Sequence, residues 1–366
     1  MTRVLVNALQ AGNRSGTGRY TVELCAALAL LKDSPETVTV WPSNLPRPEG
    51  IGATVSTGWD GSALGRLFFD HYAFRELAAR EAAEVLFYPA SVGPLLPSKP
   101  VVLTIHDLCA WHHPGWFSLS RACYYRSVIP AAARRADVIL ADSAFVADDV
   151  ERLLKIPASR IRVARLGVSP RFSPAATEAR EAVRRKHKLP ERFFLYVGTH
   201  EPRKNLPRLI RAWDAAWCEG FPALVIAGRS GWKDAAVKNT AARARNKAGI
   251  YFPGFIEEAD LPALLSAALA FVWPSLLEGF GLPPLEAMAC GTPVLASNTG
   301  SLPEVVGGNA VTVSPFDEGG LSDALRMLAG DGALRNRLAV EGRLRASAFT
   351  WEKTARVLAD ACNSLT

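Results

Sequence analysis

Short, continuous apolar runs alternate with stretches of helical periodicity from one end of the chain to the other. The first half predicts strands at residues 3–7, 38–41, 85–88, 101–105, 138–141 and 161–166. These runs are apolar at successive positions, as expected of strands covered on both faces in a parallel sheet. Between them, Tyr20, Leu24, Leu28 and Leu31 share one face of a helix over residues 20–31. Residues 144–154 predict another helix, with Asp142 or Ser143 as its N-cap.

The texture changes near residue 170. Ser169, Pro170, Arg171, Phe172, Ser173 and Pro174 form a turn-rich stretch, a charged helix follows at 178–188, and Pro190 precedes a new apolar strand at 193–197. The second half then repeats the same grammar. Strands are expected at 224–227, 250–252, 270–273, 293–296 and 310–313, with helices at 206–219, 261–268, 285–289 and 321–328. Two β/α/β series in succession predict an α/β protein of two doubly wound domains, at residues 1–175 and 190–348. The last helix, 351–364, belongs to a terminal segment, 349–366, that is expected to pack back on the first domain. Ligands of such sheets lie beyond the carboxyl ends of the strands, so the cleft between two facing domains is the expected site.

Composition narrows the class. The 366 residues are 49% apolar and 21% charged, enough to bury large cores and too hydrophobic for a disordered chain. Six cysteines are scattered without a C-x-x-C pair, which argues against a zinc site or a disulfide framework and fits a reducing cytosol. No apolar run approaches the ~18 residues of a membrane span, and the first residues run straight into a strand, leaving no room for a signal peptide. The net charge is +7, and residues 1–185 hold most of it, with 22 Lys and Arg against 17 Asp and Glu. A basic N-terminal half suits an anionic ligand, nucleic acid or an anionic membrane surface, and a solvated surface with a modest Arg excess is the plain alternative.

Three segments carry candidate chemistry. Ser15, Gly16, Thr17, Gly18 and Arg19 follow the first strand and open a helix, where glycines and a helix N-terminus let amides approach a phosphate. The stretch lacks the third glycine of a dinucleotide fingerprint, and a tight structural turn explains it equally well. Gly198 to Asn205 lie just past strand 193–197, and Arg203 and Lys204 there offer a fork and a point charge to a diphosphate. Pro274 to Pro293 hold Glu278 and Glu286 separated by seven residues, with Gly279 and Gly281 in a loop after a strand. Pro283 and Pro284 suit a helix start, placing Glu286 in or near its first turn. The two carboxylates can accept hydrogen bonds from sugar hydroxyls.

The stretch from Pro274 to Gly307, with Glu278 and Glu286 in an E-x7-E pattern, resembles the signature of glycosyltransferase family 4, retaining enzymes of the GT-B fold. Gly198 to Asn205 resemble the same family's phosphate-binding segment. Thr104-Ile105-His106-Asp107-Leu108 and the region from Ala136 to Ser143 resemble N-terminal family segments. The G-x-G-R-Y near the start is similar to a subgroup rich in bacterial mannosyltransferases of polysaccharide assembly.

The resemblance implies roles. His106, Arg203, Lys204 and Glu278 would act at the reacting centre: Arg203 and Lys204 on the leaving diphosphate, Glu278 on the transferred sugar, and His106 against that sugar. Gly16, Gly18, Gly198, Gly228, Phe280, Gly281 and Leu282 would line the donor. Phe255 and Ile256 would belong to the loop that holds the base, and Glu286 would bind the ribose. The implied reaction moves a hexose, first choice mannose from GDP-mannose, to a glycan or lipid-linked acceptor with retention. No Asp-x-Asp stands in the chain, so no metal and no cofactor beyond the nucleotide-sugar donor is expected.

Other features have plainer readings. Cys290 reads as helix packing, and His112 and His113 read equally as acceptor-side or surface residues. Trp111, Trp116, Tyr124, Tyr125, Arg121 and Arg126 form an aromatic, basic stretch suited to a membrane surface, or an ordinary packed helix. A UDP-sugar donor, a GT-B epimerase or phosphorylase, and a nucleic-acid-binding protein are the competing readings. The modest basic excess is poor support for nucleic acid, and the missing fingerprint disfavours a nicotinamide enzyme.

Overall fold

A computed structural model of the chain describes residues 2–13, 16–42, 45, 51, 53–57, 69–232 and 234–366. Ser15 of the candidate Gly-rich segment lies outside the described residues. The chain forms two compact units, one of residues 1–167 with 350–366 and one of residues 168–349.

The first unit contains a seven-stranded, all-parallel sheet. Its strands are β1 (Arg3–Asn7), β2 (Glu36–Pro42), β3 (Ala53–Thr57), β4 (Val85–Tyr88), β5 (Val101–Ile105), β6 (Val138–Ala141) and β7 (Ile161–Val163), in the order β3-β2-β1-β4-β5-β6-β7. Strands β4, β5 and β6 are buried along their whole length, as their unbroken apolar runs require. Strand β7 is shorter than expected because the chain turns away after Val163, where Ala164 donates its N–H back to Ala141 O. The sheet's core includes Leu5, Val38, Leu86, Leu103 and Ile139, packed against Phe74, Ile129 and Val150 from helices.

The second unit has a six-stranded parallel sheet of β8 (Phe193–Val197), β9 (Ala223–Ala227), β10 (Ile250–Gly254), β11 (Ala270–Trp273), β12 (Val294–Ser297) and β13 (Val311–Val313). Its order is β10-β9-β8-β11-β12-β13. In both sheets the strand order reverses once, between β1 and β4 and between β8 and β11. Loops leaving neighbouring strands at such a switch point diverge and open a crevice at the carboxyl ends.

The division between units falls at Gly167 and Val168, earlier than the turn-rich stretch suggested. Residues 168–189 belong to the second unit: Phe172 is buried there, Arg171 pairs with Glu258 at 2.6 Å, and His187 and Lys186 both bind Asp260. The chain returns to the first unit at Thr350. Helix Trp351–Asn363 packs beside helix Gly16–Leu30, with Trp351 edge-on to Tyr20 and the Thr354 hydroxyl donating to Arg165 O at 2.6 Å. A glycine is needed at 167, since a Cβ there would lie 2.1 Å from Trp351 N. The six cysteines form no disulfide among the described residues, and no described helix is long and apolar enough to cross a membrane.

Candidate functional site

The switch point of the second sheet collects the charged residues singled out in the sequence. Strand β8 ends at Val197 and its loop runs through a short turn, Pro202–Lys204, into helix Leu206–Ala216. Strand β11 ends at Trp273, and its loop runs to helix Leu282–Ala289. Backbone bonds lock the loops together. Leu276 N–H donates to Arg203 O at 2.7 Å, and the buried Ser275 hydroxyl reaches the same oxygen. Asn205, in a left-handed conformation, donates its side-chain amide to Pro274 O and Pro315 O.

This framework brings Arg203, Lys204 and Glu278 into one cluster. Arg203 Nη1 lies 2.5 Å from Glu278 Oε2, and Lys204 Nζ lies 2.6 Å from Oε1. Arg203 Nε also meets Glu201 at 3.1 Å. Glu278 and Lys204 are each only 6% exposed. Burial by itself would raise the Glu278 carboxyl, but Arg203 and then Lys204 bring it down to about 2. Burial and then the neighbouring Arg203 lower Lys204, and Glu278 opposes them. Lys204 also sits 4.2 Å over the Trp273 ring, which stacks on Tyr196. Two cations held at the carboxyl ends of two strands suit an anionic ligand larger than the one carboxylate they now share.

Around the cluster, Gly281 takes a φ of 112° as N-cap of the helix that Pro283 and Pro284 open. Glu286 is the fifth residue of that helix, next to the first turn, as the sequence suggested. The helix begins earlier than expected, at Leu282. Its side chain is buried, as are Phe280 and Leu282. Ser301 caps the loop from below, its hydroxyl donating to Glu278 O and Phe280 O. Gly198 and Gly228 meet back to back: a Cβ on Gly228 would lie 2.0 Å from Gly198 O, at a φ of 127°. Gly228 N–H donates to Gly254 O at 2.7 Å, which ties in the loop bearing exposed Phe255 and buried Ile256.

Gly16, Gly18 and His106 belong to the first unit. Gly18 is required by its own backbone, because a Cβ there would lie 1.7 Å from Asn13 O. Gly16 has open space where a side chain would start. Tyr20, one turn on, packs edge-on to His106 at 4.8 Å and shares a hydrogen bond with Thr104, so the helix start and the histidine are coupled. His106 Nδ1 lies 2.7 Å from Asp142 Oδ2 and Nε2 lies 3.0 Å from Pro89 O. Both ring nitrogens of His106 thus face acceptor oxygens. Burial would lower its pKa, but Asp142 outweighs that and the pKa is raised. Asp142 is therefore a partner of His106 and not a helix cap. Ser143 does the capping, accepting from Val146 N–H.

Sequence reasoning missed Asp142 in this role, and also His200, which is buried with Nε2 lacking a hydrogen-bond partner among the described residues. His200 stands inside the quoted segment Gly198 to Asn205, which was the signal available. His112 pairs with buried Asp149, and His113 stacks on Trp116. Cys290 is 2% exposed, and burial pushes its thiol up to about 12. Among the described residues no group of three or more His, Cys, Asp or Glu side chains is arranged to hold a metal ion.

Known families match both halves of the chain. Residues 179–345 match the family of glycosyl transferases group 1, and residues 14–172 match glycosyltransferase family 4. The O-antigen chain mannosyltransferase B of Escherichia coli is 34% identical over 360 residues, covering 92% of this chain and 93% of that protein. Sucrose-phosphate synthase from Thermosynechococcus elongatus superposes with a TM-score of 0.81 at 20% identity, covering 100% of this chain and 99% of that one. The Anabaena protein HepE in complex with UDP-glucose superposes at 0.78 with 18% identity over the full length of both chains. Two parallel sheets, family matches over both halves and a full-length relative place the chain in glycosyltransferase family 4, as a glycosyltransferase of the GT-B fold.

Proposed function

We propose that this chain transfers mannose from GDP-mannose to a glycan or lipid-linked acceptor in the assembly of a bacterial surface polysaccharide, such as O-antigen, capsule or exopolysaccharide. Transfer proceeds with retention and without a metal. The observation that carries the reading is the pairing of Arg203 and Lys204 on Glu278 at the switch point of the second sheet. Its sugar assignment is supported by the 34% identity to a mannosyltransferase along nearly the whole chain.

In this reading the donor's diphosphate lies against Arg203 and Lys204, with amides of Phe280, Gly281 and Leu282 nearby and the closely packed Gly198 and Gly228 beside it. Glu286 accepts from the ribose hydroxyls, and the loop of Phe255 and Ile256 holds the base. Glu278 shifts part of its bonding from the two cations to hydroxyls of the mannose. As the C1–O bond breaks, both bonding electrons pass to the diphosphate oxygen, and the fixed cations meet that charge where it develops. The acceptor hydroxyl enters on the face the diphosphate leaves, and its proton passes to a diphosphate oxygen. The roles that the resemblance implies for Gly16, Gly18 and His106 of the first unit belong to the same proposal.

The reading includes a peripheral position at the cytoplasmic membrane face. Helix Leu119–Arg135 carries four arginines and no acidic residue, and Leu119 and Tyr124 are exposed on it.

The test is transfer of radiolabel from GDP-mannose, with UDP-glucose in parallel, to glycolipids extracted from a polysaccharide-producing bacterium. Product from GDP-mannose with the donor's α configuration supports the proposal. Product from the UDP-sugar alone, or an inverted β product, overturns it.

A further inference from the structure

Arg229 follows β9 and Phe255 follows β10, so both stand at the carboxyl edge of the second sheet beside the cation cluster's loop. The Arg229 guanidinium carbon lies 4.3 Å over the Phe255 ring. Three backbone contacts fix the pair. Gly228 N–H donates to Gly254 O, so the residues that follow each glycine are held side by side. His200 N–H donates to Arg229 O at 3.0 Å, and His200 bridges Ser230 in parallel. The loop that carries Arg203 and Lys204 is thereby tied to the backbone of Arg229.

Arg229 is exposed, and among the described residues no hydrogen bond or ion pair engages its guanidinium. A guanidinium resting on an aromatic face keeps its N–H donors in its own plane, directed away from the ring. An arginine held this way, without a carboxylate to satisfy it, is equipped to bind an edge that offers two acceptors. Guanine presents such an edge in O6 and N7, and arginine's fork matches it in a bidentate pair. Adenine offers N7 but puts an amino donor where guanine has O6, so the same fork rejects it.

We propose that Arg229, seated on Phe255, reads the O6/N7 edge of a purine diphosphate donor and so selects guanine over adenine. The inference rests on the GDP-sugar reading above and adds to it the side chain that makes the choice of base.

The test is calorimetric binding of GDP, IDP, ADP and UDP to the full chain and to Arg229→Met and Arg229→Gln. IDP keeps O6 and N7 and lacks only the 2-amino group. The wild type is expected to bind GDP and IDP alike, and ADP more weakly. Arg229→Met is expected to weaken GDP and IDP about ten- to a hundredfold, while ADP stays nearly unchanged. Arg229→Gln should move preference toward ADP, because glutamine matches the N6/N7 edge of adenine. Thermal unfolding of the variants should match the wild type, since the side chain is exposed.

If Arg229→Met keeps the wild-type ratio of GDP to ADP, the inference fails and the GDP reading stands. Equal weakening of GDP, ADP and UDP would make Arg229 a phosphate contact and overturn the base-reading role. A wild type that binds UDP in preference to the purines, or binds none of the four, overturns the donor reading and this inference with it.

Discussion

Replacing Glu278 with Gln removes one negative charge and changes the side-chain volume hardly at all. It leaves Lys204 buried with no carboxylate, and Arg203 with Glu201 alone. The cost can be worked in two ways. The carboxyl is held at about 2 against an ordinary value of 4.5, and that separation corresponds to about 3 kcal/mol of folded-state stabilisation. Removing one partner of a buried ion pair costs about 3–5 kcal/mol in general. The two agree, so Glu278→Gln should destabilise the second unit by about 3 kcal/mol at pH 7. The pH dependence has a fixed sign. A carboxylate depressed in the folded state contributes fully above about 4.5 and loses its contribution as pH falls through about 2. Roughly half should be gone by pH 3. Native-state hydrogen exchange at the β8 and β11 amides reads this quantity directly, since core strands open with the whole unit. Equal protection in the variant and the wild type at pH 7, or a difference that persists undiminished at pH 3, would refute the reasoning.

Three further outcomes are expected. Glu286→Ala should weaken GDP-mannose binding about ten- to a hundredfold, the loss of one charge-assisted contact, as measured by calorimetry. Gly228→Ala should lower stability by at least about 2 kcal/mol, seen as a Tm drop of several degrees, because its Cβ would lie 2.0 Å from Gly198 O in a left-handed conformation. Histidine NMR should find the His106 pKa raised above the ordinary 6.5 in the wild type and lower in Asp142→Asn. Its contribution to stability is present below 6.5 and is lost as pH rises through the raised value.

The strands at 85–88, 101–105, 138–141, 193–197 and 270–273 appear at the expected residues, because strands buried on both faces leave unbroken apolar runs. β3 was not legible: Ala53–Thr57 mixes Thr and Ser with apolar residues at the sheet's edge, where one side needs no partner strand. Helix Gly332–Ser347 was also missed, since its exposed Val340 and Leu344 blur the apolar face. Glu278, Arg203 and Lys204 were legible as residues, through their spacing after strands. Their pairing was not, because the 75 positions between Arg203 and Glu278 close only when β8 and β11 become neighbours. Asp142 read as a helix cap for the same reason. Only the register of β5 against β6 shows that it faces His106.

A nucleotide-sugar donor of guanine type is proposed to bind at the switch point of the second unit. The measurement that tests it most directly is thermal unfolding of the full chain against GDP, GDP-mannose, UDP, UDP-glucose, ADP and NAD. A ligand at a hundred times its dissociation constant stabilises by about 2.7 kcal/mol, a shift that is readily seen. A rise with GDP and GDP-mannose that is lost in Arg203→Ala is expected. A rise with the UDP compounds in place of these, or with no nucleotide at all, would contradict it.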